Sequence, residues 1–174
     1  MGYYAQLIIA GRKVNDEMPL HVSNLLLKSL NYRQKAISKS KVIIFGATYK
    51  KNIDDLRSSP TEILVKKLEE YNANIQLIEP NIEEKIVFGH KNFKDFDVDL
   101  ISSADALVIM VNHDCGSNFT IDFFKSCYEK NKDLVIVDGV RILDGEKIKE
   151  IGLVYYGIGA GKINNSYKIG ENNV

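Results

Sequence analysis

The segment from Lys41 to Pro80 constrains the fold most, because its pattern predicts a strand, a polar loop, a capped helix and a second strand. The first strand, Val42 to Phe45, is apolar on both faces, as expected of a strand buried between two helical layers. Ser59 is predicted to be the N-cap of the helix, and Glu62 is predicted to complete a capping box. A strand, a helix and a strand in this order form a βαβ unit, which requires a parallel sheet.

Further elements extend this unit into a larger sheet. Apolar runs predict three more strands, at Ala106 to Val111, Leu134 to Val137 and Val154 to Tyr156. Ile121 to Tyr128 predicts a helix, and the polar residues 80–99 predict a loop with a short helix and an edge strand at Ile86 to Phe88. The predicted fold class is α/β, a Rossmann-like, doubly wound and mainly parallel sheet.

A helical extension precedes the sheet. Apolar residues recur at every third or fourth position from about Tyr3 to Arg33, and Pro19 is predicted to kink or break this helix. The predicted division is a helical region at 1–33, a polar linker at 34–40, the sheet domain at 41–161, and a loose Asn- and Gly-rich tail at 162–174.

Charge and cysteine content limit the expected partners and location. The 23 Lys and Arg residues balance 23 Asp and Glu residues, so no overall field attracts nucleic acid or an anionic membrane. Cys115 and Cys127, in a sequence without a secretion signal or an apolar span, predict reduced thiols and a cytoplasmic location. Binding of a charged ligand must therefore come from the local placement of side chains.

Cationic side chains follow the predicted strands at their carboxyl ends, where the ligands of doubly wound sheets bind. Lys50, Lys51 and Arg57 follow the first strand, His113 follows the strand at 106–111, and Arg141 follows the strand at 134–137. Lysine and arginine form charge-assisted hydrogen bonds with phosphate. This edge of the sheet is therefore predicted to bind an anion.

Each of these side chains also has a purely structural interpretation. The two lysines are equally compatible with solvated loop charges, and Arg141 with a surface turn residue. Arg57 is compatible with an ion pair to Asp54 or Asp55, and His113 with a strand-end histidine bonded to the backbone. The run from His113 to Cys115 lacks the usual ligand spacing, so no metal site is predicted.

Four segments in order resemble the UDP-glucose/GDP-mannose dehydrogenase family. Residues 46–60, with GATYK followed by DDLRSSP, resemble the G-x-x-[FY]-K…D-D-x-R-x-S-P signature of its carboxyl-terminal UDP-binding domain. Residues 10–16 (AGRKVND) resemble its central dimerisation helix, most closely in the branch that oxidises UDP-N-acetylhexosamines. Residues 137–144 and 154–159 resemble its D-x-R segment and its final strand.

The resemblance implies roles for particular side chains. Three are implied to contact the UDP-sugar: Tyr49, Lys50 and Arg141. Arg57 is implied to face the cofactor side of the cleft between domains, and Asn15 and Asp16 are implied to lie near the active site. The implied reaction is the oxidation of C6 of a UDP-sugar, most closely a UDP-N-acetylhexosamine, to a carboxylate with NAD, for polysaccharide precursor synthesis.

Two parts of the family architecture are missing from this sequence. It has no G-x-G-x-x-G turn at a helix start, because GIGAG at 157–161 opens into a poor helix former and lacks an acidic partner. It also has no nucleophilic cysteine before the central helix, since Cys115 and Cys127 lie far downstream. The chain is therefore expected to be a fragment, by natural truncation or by excision, that binds no NAD and is inactive alone.

The expected assembly is a homodimer formed through residues 1–33. Alternatives are a stand-alone nucleotide-sugar-binding module, a receiver-like domain, or a dimerisation unit without enzymatic activity. If the chain is chiefly a dimerisation unit, Leu25, Leu26 and Leu30 are expected to form an exposed apolar stripe in the monomer.

Overall fold

A computed structural model describes residues 6–159 of the chain; the tail at 162–174 and the end of the Gly-rich run at 160–161 lie outside the described residues. The strands are β1 (Lys41–Phe45), β2 (Asn74–Ile78), β3 (Ile86–Val87), β4 (His90–Phe93), β5 (Ala106–Ile109), β6 (Val135–Asp138) and β7 (Val154–Gly157). The helices are α1 (Gln6–Tyr32), α2 (Pro60–Glu70), α3 (Val98–Ser102), α4 (Ile121–Lys130) and α5 (Gly145–Ile151), with a 3₁₀ turn at Asp114–Asn118.

The strands form one sheet in the order β3-β4-β2-β1-β5-β6-β7. All neighbouring strands are parallel except the β3–β4 hairpin. From β1 the chain winds outward through β2 and β4, and then returns to the other side of β1 with β5. The predicted α/β, doubly wound and mainly parallel sheet is confirmed, and its topological switch point lies between β1 and β5.

Helices cover both faces of the sheet, which explains the continuous apolar run of β1. Val42 and Ile44 pack on the side of α1 and α2, whereas Ile43 and Phe45 pack on the side of α3, α4 and α5. All four side chains are fully buried. A strand with helices on both faces has no solvent side, so alternation of polar and apolar residues is absent.

The first helix differs from the prediction in two respects. It continues through Pro19, so a break at this residue is wrong; Val22, Leu26 and Leu30 beyond it are buried against the rest of the domain. The same burial contradicts the exposed stripe expected at 25–30. Among the side chains of α1 that the structure describes, the exposed large apolar ones are instead Ile8, Ile9, Val14 and Leu20.

One further local prediction is corrected, and two elements were not predicted. Ser59 caps α2 by accepting a hydrogen bond from Thr61 N at 3.1 Å, but the capping box does not form. Ser59 N donates to Leu56 O, and the Glu62 carboxylate pairs with Lys66 at 2.7 Å. The two elements that were not predicted are strand β4, which is mostly polar, and helix α5, which is capped by Asp144. No helix among residues 6–159 is long and apolar enough to span a bilayer.

Candidate ligand-binding site

The carboxyl ends of β1 and β5 approach each other closely at the switch point. Gly46 directly follows β1 and has a φ of 91°. A Cβ atom at this position would lie 2.5 Å from Val111 Cβ and 2.7 Å from Val111 N. Both the backbone conformation and the space therefore require glycine, and they bring the loop after β1 against the loop after β5.

The loop after β1 is held by the carboxylate of Glu79, which directly follows β2 and is fully buried. Its Oε2 accepts hydrogen bonds from Ala47 N at 2.7 Å and from Thr48 N at 3.1 Å. Its Oε1 accepts from Asn81 N at 3.0 Å and from Asn81 Nδ2 at 3.2 Å. The carboxylate thus satisfies the first two amide donors of the loop.

The buried ring of His113 links the same carboxylate to the far part of the loop. His113 Nε2 lies 3.0 Å from Glu79 Oε2, and Asn52 N donates to His113 Nδ1 at 3.1 Å. Because a backbone N–H can only donate, Nδ1 is the unprotonated nitrogen and Nε2 carries the hydrogen that Glu79 accepts. The interpretation of His113 as a strand-end histidine bonded to the backbone is confirmed.

The electrostatics of the pair favour an ionised Glu79. Burial alone raises the pKa of Glu79, but hydrogen bonds from His113 and from the amides of Ala47 and Asn81 outweigh it and lower the pKa to about 2.

Residues 6–159 contain no cluster of three His, Cys, Asp or Glu side chains placed to hold a metal ion.

Asp114 fastens the outer part of the loop. Asn52 Nδ2 donates to Asp114 Oδ2 at 2.6 Å, and Asp114 N donates back to Asn52 Oδ1 at 3.1 Å. Lys51 Nζ lies 3.3 Å from Asp114 Oδ1 and, with Asn52, holds the pKa of this carboxyl below its usual value. The charge of Lys51 is therefore already paired.

Arg57 is also paired. Its Nε and Nη2 donate to the two carboxylate oxygens of Asp55 at 2.9 and 2.7 Å, and these bonds lower the pKa of Asp55 to about 2. The alternative, structural interpretation of Arg57 as the ion-pair partner of a loop aspartate is confirmed, and Asp55 is the partner. The Arg57 side chain is 88% exposed, so it projects into solvent beside the loop.

Tyr49 and Lys50 occupy the exposed part of the loop. Their backbone is held by Tyr49 N donating to Asp55 O at 3.2 Å and by Thr48 Oγ1 donating to Lys50 O at 2.8 Å. The Tyr49 side chain is exposed. Within residues 6–159, the Lys50 side chain makes no ion pair and no hydrogen bond. Lys50 is thus an exposed cation on an ordered backbone.

A second buried carboxylate organises the loop after β6. Asp138 Oδ1 accepts from Val140 N at 3.2 Å and from Arg141 N at 2.6 Å, and Oδ2 accepts from Leu143 N at 2.9 Å and from Tyr155 Oη at 3.2 Å. Burial and the neighbouring Asp138 raise the pKa of Tyr155, so its hydroxyl stays protonated and donates. Arg141 itself has a φ of 57°. The carboxylate therefore stabilises a conformation that is unfavourable for arginine.

Like Lys50, the Arg141 guanidinium makes no ion pair and no side-chain hydrogen bond with any described residue. The 3₁₀ turn fills the space between the two loops, since a Cβ at Gly116 would lie 3.4 Å from Phe45 and 3.5 Å from Ile142. Lys50 and Arg141 follow β1 and β6, which are two strands apart, or roughly 10 Å. Two long cationic side chains at this separation can converge on one diphosphate.

Asn15 and Asp16 are not brought to this edge. They lie on the exposed first half of α1, and no described contact joins them to the loops after β1 and β6.

The sequence analysis also gave no site role to Glu79 and Asp138. The signal for both is an acidic residue at the carboxyl end of an apolar strand, a place where an unpaired carboxylate would be costly to bury.

The switch point does not fit a dinucleotide. A Rossmann turn brings glycine backbone close to the pyrophosphate and leaves its amides free to bind it. Here Gly46 is followed by Ala47 and Thr48, and both amides donate to Glu79. The two amides that would face a pyrophosphate in a Rossmann turn are therefore occupied by a protein carboxylate.

Comparison with known proteins places these features in a family. Residues 43–145, more than half of the chain, match the UDP-glucose/GDP-mannose dehydrogenase family, UDP binding domain. The UDP-N-acetyl-D-mannosamine dehydrogenases of Methanocaldococcus jannaschii and Methanococcus maripaludis are 36% and 33% identical over 91% and 85% of this chain. The chain spans about a third of the length of these relatives, 35% and 33% respectively.

A solved structure shares the fold. NDP-N-acetyl-D-galactosaminuronic acid dehydrogenase from Methanosarcina mazei superposes with a TM-score of 0.77 at 27% identity. The match covers 91% of this chain and 32% of that chain.

Proposed function

Because the chain belongs to the UDP-glucose/GDP-mannose dehydrogenase family, we propose that it is the UDP-sugar-binding part of an NAD-dependent UDP-sugar 6-dehydrogenase. Lys50 and Arg141 bind the diphosphate, and Tyr49 contacts the nucleotide-sugar beside Lys50. The substrate is a UDP-N-acetylhexosamine, as the names of the relatives suggest. The product is the corresponding uronate, a precursor for polysaccharide synthesis.

One observation carries this proposal: the cations at the carboxyl edge divide into paired and unpaired. Lys51 and Arg57 are neutralised by Asp114 and Asp55. Lys50 and Arg141 have no such partner within residues 6–159, and buried carboxylates hold the backbone of both loops. A diphosphate would give both cations an anionic partner, with charge-assisted hydrogen bonds of about 1.5–3 kcal/mol each.

This chain contributes to the reaction by positioning the UDP-sugar. NAD would accept the hydride from C6, and the described residues do not fit that cofactor, so it binds elsewhere in the complete enzyme. By holding UDP at two points, Lys50 and Arg141 limit the directions in which the sugar can project. Arg57 lies on the cofactor side of the cleft, and Asn15 and Asp16 lie near the reacting sugar in the complete enzyme.

The first half of α1 is proposed to form a homodimer within region 1–33. Ile8, Ile9 and Val14 are exposed on this half of the helix, and contact with a partner would remove their apolar surface from water. The segment 34–40 then links this helix to the UDP-binding domain at 41–161.

Cys115 and Cys127 are both free thiols, which supports a cytoplasmic location.

Calorimetric titration with UDP, UDP-N-acetylglucosamine and UDP-glucose tests the proposal. Lys50→Ala and Arg141→Ala should each weaken UDP binding about 10- to 100-fold, the loss of one charge-assisted bond. Lys51→Ala is the matched control, because its charge is already paired with Asp114, and it should change affinity less than about threefold. Equal losses in all three variants, or no UDP binding by the unmodified chain, would contradict the proposal.

A second measurement separates binding from catalysis. The isolated chain should bind UDP-sugar without reducing NAD, because its switch-point amides are occupied by Glu79. Absorbance of NADH after mixing the chain with NAD and each UDP-sugar measures this. NADH formation by the pure chain would show that the division of roles is wrong.

A further inference from the structure

We propose that Glu79 is a positioning residue for the nucleotide diphosphate, and that its carboxylate is an internal anion that takes the place of a phosphate at the switch point. The inference rests on the proposed function, because it concerns how the Tyr49–Lys50 segment is made ready for UDP. Glu79 itself is fully buried and does not contact the ligand.

The geometry around the carboxylate is that of an anion site. Two successive amides, Ala47 N and Thr48 N, point at Oε2 from the loop that joins β1 to α2. In doubly wound domains, amides in this position bind phosphate. His113 Nε2 and the backbone and side-chain donors of Asn81 complete the set. Five donors converge on one buried carboxylate, so the anion is supplied by the protein and not by a ligand.

This arrangement decides how a diphosphate is bound. Because the amides of Ala47 and Thr48 are occupied, they are not available to the ligand. The bonds to the diphosphate must come from side chains that the loop presents further along. Thr48 is joined to Glu79 through its amide and to Lys50 O through its hydroxyl, at 3.1 and 2.8 Å. The position of the Lys50 backbone therefore depends on Glu79 through a single residue.

The other end of the segment depends on the same carboxylate. Glu79 orients His113, His113 accepts from Asn52 N, and Asn52 is joined to Asp114 by two hydrogen bonds. Asn52 has a φ of 57°, a left-handed conformation that asparagine adopts more readily than most residues. The segment between Thr48 and Asn52 is thus held at both ends, with Tyr49 and Lys50 between them.

Negative charge is required for this role, and Glu79→Gln tests that requirement. A glutamine has one acceptor oxygen and an NH₂ group, so its nitrogen must face the donors of either Ala47 and Thr48 or Asn81. Glu84→Gln is the matched control, since Glu84 is exposed and its side chain has no partner among the described residues. Both variants are compared by calorimetric titration with UDP and by amide NMR spectra.

In the expected result, Glu79→Gln weakens UDP binding at least about tenfold and shifts the amide resonances of Thr48 and Lys50, whereas Glu84→Gln changes neither. A folded Glu79→Gln chain with unchanged affinity and unchanged amide resonances would overturn the inference. If the unmodified chain binds no UDP, the proposed function fails. The positioning role is then decided by the amide resonances alone.

A measurement on the unmodified chain covers the case in which Glu79→Gln does not fold. During titration with UDP, the side-chain resonances of Lys50 should move while the amides of Ala47 and Thr48 stay near their starting positions, since their carboxylate partner is not displaced. The opposite pattern, with these two amides moving most, would mean that the ligand replaces Glu79 and would overturn the inference.

Discussion

Replacing Gly46 by alanine tests whether the close approach of the loops after β1 and β5 creates the switch-point site. Gly46 combines a φ of 91° with a neighbour that leaves no room for a side chain, because a Cβ would lie 2.5 Å from Val111 Cβ and 2.7 Å from Val111 N. The chain also offers a matched control. Gly89, in the turn of the β3–β4 hairpin, has a φ of 82°, but a Cβ there has nothing within 4 Å.

The two costs can be separated by this comparison. A positive φ costs alanine about 1–2 kcal/mol relative to glycine, and both variants incur this cost. Gly46→Ala must in addition push the β1 and β5 loops apart, and such overpacking costs about 1–3 kcal/mol. We therefore expect Gly89→Ala to lower the free energy of unfolding by about 1–2 kcal/mol, and Gly46→Ala to lower it by about 2–5 kcal/mol.

Urea unfolding followed by circular dichroism measures both values, provided that the m-value is unchanged. UDP titration of the folded variants adds a functional measurement, since movement of Gly46 displaces the amides of Ala47 and Thr48, and Gly89 lies on the far edge of the sheet. Equal losses of stability in the two variants would contradict this prediction. It would mean that the loops separate without cost and do not define a rigid site.

Three further predictions concern charge and assembly. The pKa of Glu79 is lowered from 4.5 to about 2, so ionised Glu79 contributes up to about 3 kcal/mol to the free energy of unfolding. This contribution is complete above pH 4.5 and is lost as the pH falls toward 2. The difference in stability between the unmodified chain and Glu79→Gln, measured by urea unfolding, should therefore shrink over that range. Arg57→Gln should return the pKa of Asp55 toward 3.8 in a carboxyl NMR titration and leave the free energy of unfolding nearly unchanged, and an unchanged pKa would contradict the pairing. Replacing Ile9 and Val14 by aspartate should convert a homodimer into a monomer in sedimentation equilibrium, and a strictly monomeric unmodified chain would contradict the proposed interface.

Much of the fold was predictable because its signals are local. The apolar run of β1, the cap at Ser59 and the run that forms β5 each lie within a few residues. The elements that were missed have weak local signals. Strand β4 (HKNF) is mostly polar and forms because it can pair with β2, and α5 is a short helix of mixed composition. The break at Pro19 was wrong because the buried residues that follow it in α1 outweigh the loss of one hydrogen bond.

The candidate site was predictable in part. The sequence placed Lys50, Lys51, Arg57 and Arg141 at one edge of the sheet, because parallel strands present their carboxyl ends together. It left open which of these cations are paired. Only the fold showed that Lys51 and Arg57 are neutralised by carboxylates, because an exposed side chain selects its partner by distance and not by sequence separation.

From the sequence alone came the βαβ unit, the family resemblance and the edge of the sheet that carries the cations. Only the three-dimensional structure shows that Glu79 occupies the amides of Ala47 and Thr48 at the switch point. It also shows that Asp138 supports the conformation of Arg141. The physical reason is that a buried carboxylate is stable only among converging donors. For Glu79, three of the five donors are distant in sequence: Ala47 and Thr48 lie 32 and 31 residues earlier, and His113 lies 34 residues later.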